Sequence, residues 1–144
     1  MPDGLLLSHE EARLSTEPDA MFISWETTRS GRISWKLRAD QTDAVELVGS
    51  PDLVVEVVSP TFARKDLVKL RAGYARAGIP EYWIVDARRD PHRFEILHLV
   101  DGSYEASAPP DLPQPSQVFR RAFVLEARTN QVGRTDFRLR TVMV

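Results

Sequence analysis

The alternation of apolar and polar positions divides this chain into short β-type runs with one long helical stretch among them. Leu53-Val54-Val55-Glu56-Val57-Val58 is the most apolar run, rich in β-branched residues and closed by Ser59-Pro60, and it predicts a buried strand. A helix is predicted from about Lys65, because Leu67, Leu70, Tyr74 and Ala77 recur at intervals of three, four and three and make one apolar stripe. Thr61 or Ser59 supplies its cap, and Gly78 followed by Pro80 its stop. Tyr82-Trp83-Ile84-Val85 predicts the next strand, so residues 51–86 form a strand–helix–strand unit.

Weaker patterns lie on either side. Ala20–Trp25 predicts a buried strand, Arg32–Leu37 a half-exposed one from its strict alternation, and Val45–Val48 a short one. Ser30-Gly31 and residues 39–42 predict turns. Phe94–Val100 predicts a strand that Asp101-Gly102 turns back toward Tyr104. Residues 108–116 hold four of the ten prolines and predict a surface loop, while Val118–Glu126 and Thr135–Leu139 predict two closing strands. Residues 1–17 are weakly patterned; Leu5-Leu6-Leu7 suits a short strand or a packing arm. With no repeat and no linker, a single domain over 1–144 is expected.

Composition narrows the function classes. A chain of 144 residues with 42% hydrophobic and 28% charged residues fits one globular domain. The net charge of −2 gives no global attraction to nucleic acid or to an anionic membrane, so any nucleic-acid site must be a local basic patch. The absence of cysteine excludes disulfides, thiolate zinc sites and cysteine nucleophiles. No apolar run approaches the roughly 18 residues of a membrane span, and the N-terminus lacks the basic-then-apolar order of a secretory signal. A cytoplasmic protein is expected. His9, His92 and His98 share no ligand spacing, and neither a phosphate-cradling glycine loop nor a Gly-x-Ser-x-Gly elbow is present.

The chemical signal is Glu56, a carboxylate inside the most apolar strand. Such a group is normally paired, protonated or bound to a cation. Two Pro-Asp pairs, Pro18-Asp19 and Pro51-Asp52, each lead an apolar run, and Asp52 has the parity of Glu56 and so the same sheet face. If the strands of Asp19 and Glu56 are neighbours, their carboxylates converge in the kind of oxygen cluster that Mg²⁺ or Mn²⁺ takes. Such an ion activates water and stabilises charge on a phosphodiester, with Lys65 or Lys69 placed to add positive charge. Simpler roles stay open at this point: Asp19 and Asp52 suit turns, Glu56 suits a buried ion pair, and Lys65 and Lys69 suit a solvated helix face.

The same residues carry a resemblance. PDLVVEVVSP, Asp66 and the run Tyr74 to Asp86 (YARAGIPEYWIVD), with the earlier STEPDAMFIS, resemble the Uma-two family of predicted endonucleases, from about Leu14 to the C-terminus. That family lies within the PD-(D/E)XK restriction endonuclease-like superfamily. The resemblance implies an α/β fold with a mixed sheet flanked by helices, and metal-dependent cleavage of DNA. It makes Asp19 the first-strand acid and Glu56 the acid of the D/E-x-K element.

Two positions depart from the family pattern. Val58 stands where that element has lysine, and Leu70 stands where family members carry a helix lysine. Only 17 residues precede Pro18, too few for the N-terminal helix and hairpin usual in the family, so a shortened member is expected.

The expected activity is Mg²⁺-dependent hydrolysis of DNA. Asp19, Glu56, Lys65 and Lys69 are the expected catalytic residues, and Asp19, Asp52 and Glu56 the expected metal ligands. Arg64, Lys65, Lys69 and Arg71, with Arg32 and Lys36, are the expected phosphate contacts. The competing reading is an inactive family member kept as a nucleic-acid-binding or oligomerisation module, with Leu5–Leu7 open to self-association.

Overall fold

The computed structural model describes residues 5–37, 39, 44–60, 64–88 and 91–143, without the side chains at 64 and 65. Its central layer is a five-stranded mixed sheet of β3 (Ala20–Phe22), β6 (Leu53–Val58), β7 (Glu81–Asp86), β8 (Arg93–Val100) and β9 (Ser103–Ala106), in that spatial order. β6 and β7 are parallel, with Val54 beside Tyr82 and Glu56 beside Ile84; every other pairing in this sheet is antiparallel. The crossover between the two parallel strands is helix α2 (Arg64–Arg76). At the β8–β9 turn, Asp101 and Gly102 take φ of 49° and 83°, the left-handed pair that a two-residue hairpin requires.

Strand parity sorts the core into two clusters. Even-numbered residues of β6 and β7 face α2, where Val54 and Tyr82 pack with Tyr74 and Ala77 of the helix. Leu53 and Trp83 face the other way, onto Phe94, Ile96 and Phe123. The second cluster is closed by a three-stranded sheet, β10 (Gln114–Ser116), β11 (Arg121–Thr129) and β12 (Thr135–Val142). The first is extended by Leu7, Leu14, Ile33 and Leu47 from a four-stranded sheet in the order β2 (Leu14–Thr16), β1 (Leu6–His9), β5 (Ala44–Gly49), β4 (Ile33–Leu37).

The structure departs from the sequence reading in four places. Residues 5–17, weakly patterned in sequence, carry two paired strands: β1 takes up the short-strand alternative expected at Leu5–Leu7, and β2 was not foreseen. The strand expected over Ala20–Trp25 stops at Phe22, and helix α1 (Trp25–Ser30) follows, capped by the Ser24 hydroxyl accepting from Thr27 N–H and ended by Gly31 in the left-handed region. β10 interrupts the proline-rich loop. β11 and β12 extend past the expected ends of the closing strands. The cap expected from Thr61 falls outside the described residues, as does the turn over 39–42 apart from Ala39. No helix among the described residues is long and apolar enough to cross a membrane.

One glycine is fixed by close approach. Gly49 ends β5 at φ +124°, and a Cβ there would stand 2.0 Å from the Arg32 carbonyl oxygen. Gly49→Ala is therefore expected to part β4 from β5 and to cost about 3 kcal/mol or more. Urea unfolding checks this; a midpoint equal to that of wild type would contradict the packing described.

Candidate functional site

Two acids meet at the C-terminal end of β6, on the α2 face of the central sheet. Pro18 cannot donate to a ladder, so the edge strand β3 begins only after Pro18-Asp19. Asp19 N–H donates to the Val55 carbonyl (3.1 Å), and Asp19 Oδ2 accepts the N–H of Val57 (2.6 Å). That carboxylate thus takes over the strand pairing that β3 is too short to supply. Glu56, the residue between those two partners, is buried with 4% exposure. Its Oε1 accepts the hydroxyl proton of Tyr74 from α2, and the Asp19 carboxyl lies within hydrogen-bonding reach of it.

Burial, and then the charge and hydrogen bond of Asp19, push the Glu56 carboxyl up to about 7 against the opposing pull of the Tyr74 hydroxyl. Tyr74 is itself raised, by burial first and then by the charge of Glu56, so it remains a donor. The Tyr82 hydroxyl is also raised by burial and by Glu56, and it is buried with no hydrogen-bond partner among the described residues. No lysine or arginine forms an ion pair with Asp19 or Glu56 among the described residues. The site is therefore two adjacent carboxyls, Glu56 buried and Asp19 exposed, without a cationic partner among the described residues.

The other expected site residues stand elsewhere. Asp52 shares the face of Glu56 but lies four strand positions away, about 13 Å at roughly 3.3 Å per residue. Its Oδ1 accepts the N–H of Ser24 (3.1 Å), which holds it at that end of the strand. Lys69 is exposed, about 100° round the helix from Leu70, and makes no hydrogen bond or ion pair with either acid. Leu70, one turn before Tyr74 on the same stripe, is half-buried against the core, so an apolar side chain occupies the helix face toward the acids. Arg71 donates to the Tyr104 carbonyl at the far edge of the sheet (2.9 Å). Arg32 donates to Ser50, and Lys36 pairs with Glu46 at 3.6 Å. The side chains of Arg64 and Lys65 fall outside the described residues.

Sequence reasoning placed Tyr74 on the apolar stripe and missed its hydroxyl as the donor to Glu56. The available signal was a tyrosine on the same helix face that covers a strand bearing a lone acid.

No group of three or more His, Cys, Asp or Glu side chains is gathered for a metal among the described residues. Mg²⁺ does not require one, since it commonly takes one or two carboxylates and keeps several waters. The Asp19–Glu56 pair fits that donor set.

Residues 4–128 match the model of the Uma2 family, described as "Putative restriction endonuclease". Among solved structures, the chain is similar to a crystal structure titled as a putative nuclease belonging to DUF820 from Anabaena variabilis. The likeness has 20% identity and a TM-score of 0.57, over 81% of this chain and 59% of that one. At that identity what is shared is the fold, and the chain spans about three-fifths of that protein's length. No curated protein matches.

Proposed function

Because this chain belongs to the Uma2 family, which is described as putative restriction endonucleases, we propose that it is a metal-dependent endonuclease hydrolysing phosphodiester bonds in DNA. Asp19 and Glu56 would hold Mg²⁺ or Mn²⁺. The observation that carries the reading is the pair itself: the buried Glu56 carboxyl, raised to about 7, in hydrogen-bonding reach of the exposed Asp19 carboxyl, with no cationic side chain paired to either among the described residues. A buried carboxylate beside a second acid is stabilised by a proton or a bound cation. A bound divalent ion supplies activation of water and stabilisation of charge on the phosphoryl group. The chain's own residues do the positioning: Val57 N–H fixes the Asp19 carboxylate, and the Tyr74 hydroxyl fixes Glu56.

Supercoiled plasmid and single-stranded DNA incubated with Mg²⁺ or Mn²⁺, against EDTA controls, test the activity. Metal-dependent nicking is expected, and no cutting of either substrate with either ion would overturn it.

A second reading, a binding or oligomerisation module without catalysis, is favoured by one observation, the apolar Leu70 on the helix face toward the acids. Leu70→Lys brings a cation to that face and is expected to raise cleavage at least about tenfold. Initial nicking rates measure it. A silent wild type with a cutting Leu70→Lys variant would establish the second reading, and an unchanged rate would show that this face needs no cation.

A further inference from the structure

The chain's positive charge is not evenly spread. Residues 120–143 carry six arginines (Arg120, Arg121, Arg128, Arg134, Arg138, Arg140) against Glu126 and Asp136, a local +4 in a protein of net −2. Nearly all of them sit on the β11–β12 hairpin, whose outer strand, β12, has no neighbour on its far side among the described residues and is exposed over almost its whole length. Arg140 is paired with Glu126 (2.7 Å), whereas Arg128, Arg134 and Arg138 have no acid within ion-pair distance among the described residues. β12 and the turn before it lie beyond residues 4–128, so the family match does not account for them.

The hairpin's place relative to the acids gives this charge a use. Leu139 of β12 lines one apolar groove of about 370 Å³ with Ala20, Met21 and Phe22 of β3, and Asp19 immediately precedes Ala20. The start of β12 lies against the turn after β7, where Arg88, His92, Arg128 and Phe137 line a second cavity of about 470 Å³. That cavity opens at the C-terminal end of β6 and β7, the end that carries Asp19 and Glu56, on the opposite face of the sheet.

We propose that the β11–β12 hairpin is a docking surface for the phosphate backbone of a nucleic-acid strand that passes round the β3 edge to the two acids. Arg138 and Arg140 lie two strand positions apart on one face, about 6.8 Å, a spacing comparable to that of successive phosphates. The open edge adds backbone N–H donors of the kind that fix phosphates. An arginine-bearing edge strand also resists pairing with another strand, which favours a polyanion over a second copy of the chain.

The inference rests on the nuclease reading for its direction, but its test does not need cleavage. A fluorescein-labelled DNA duplex and a single strand are titrated with wild type and Arg128→Ala/Arg138→Ala in EDTA across a range of salt. The double variant is expected to bind at least about tenfold more weakly near 0.1 M salt, with the slope of log K against log salt reduced by about two for the duplex. Arg138→Lys should keep the slope, and Arg29→Ala on α1 should change nothing.

Wild-type binding that is unchanged in the double variant, or no binding by wild type, overturns the surface. Hairpin-dependent binding without metal-dependent cutting would leave the surface standing and sink the nuclease reading. Sedimentation without DNA covers the other occupant: a wild-type dimer lost in the double variant would overturn the assignment.

Discussion

Glu56→Gln is expected to lower metal-dependent DNA cleavage at least about a hundredfold, while leaving the metal-free protein more stable than wild type at pH 8. The first half follows from removing one of the two acids that would hold the ion. The second follows from the electrostatics of the pair. The Glu56 carboxyl ionises near 4.5 when exposed and near 7 in the folded protein, mainly through burial and then through Asp19. Between those values the folded chain holds a proton that the unfolded chain has lost, so stability falls as pH rises through that window. The full contribution is present below about 4.5 and is gone above about 7.

The ionised pair then costs on the order of 2–3 kcal/mol. Glutamine keeps an oxygen for the Tyr74 hydroxyl and gives Asp19 an amide donor, so it escapes that cost. Urea unfolding at pH 5 and pH 8 in EDTA should show the variant gaining about 2 kcal/mol on wild type at the higher pH only. Wild-type cleavage by the variant, or equal stability at both pH values, would contradict the description of the pair.

Glu81→Ala is expected to be the most damaging single change away from the site. Glu81 opens β7 at 1% exposure and accepts four hydrogen bonds. Its donors are Trp83 Nε1 (2.7 Å), the Ser116 hydroxyl (2.7 Å), Gln117 N–H (2.8 Å) and Val118 N–H (3.3 Å), with His98 Nδ1 at 3.5 Å. This one carboxylate ties the central sheet to the segment that leads into β11. Truncation leaves several buried or half-buried donors without an acceptor, each worth about 1–3 kcal/mol. A loss of about 3–5 kcal/mol is expected, a large share of the roughly 5–15 kcal/mol that such a domain has. Thermal unfolding should fall by about 10 °C or more. A shift of only a degree or two would mean that the network is dispensable.

Glu56 and Glu81 also mark how far the sequence could be read. Glu56 was legible because an acid within Leu53–Val58 breaks a local pattern that any observer can score. The strand–helix–strand unit was legible for the same reason, since the periods of β6 and α2 are unambiguous. Glu81 carried no comparable signal: it stands at a strand start, and three of its four donors lie some 35 residues on in the sequence. Asp52 shows the limit of parity, which reports the face of a sheet and not the distance along it; the Ser24 N–H holds its carboxylate at the far end of the strand. Helix α1 was hidden because six residues are too few for a period to show, and the apolar Met21-Phe22-Ile23 before it extends the look of a strand. Lys69 and Leu70 were legible as a displaced pair, and the structure bears out the consequence that Leu70, not a lysine, holds the inner stripe.

The most direct measurement is calorimetric titration of the metal-free protein with Mn²⁺ at pH 6, in two buffers of different ionisation enthalpy, repeated at pH 8 and with Glu56→Gln. An ion seated between Asp19 and Glu56 must expel the proton that the pair shares. One binding event is expected, releasing close to one proton at pH 6, much less at pH 8, and missing from the variant. Binding without proton release at pH 6, or binding undiminished in Glu56→Gln, would show that the two acids are not where the metal goes.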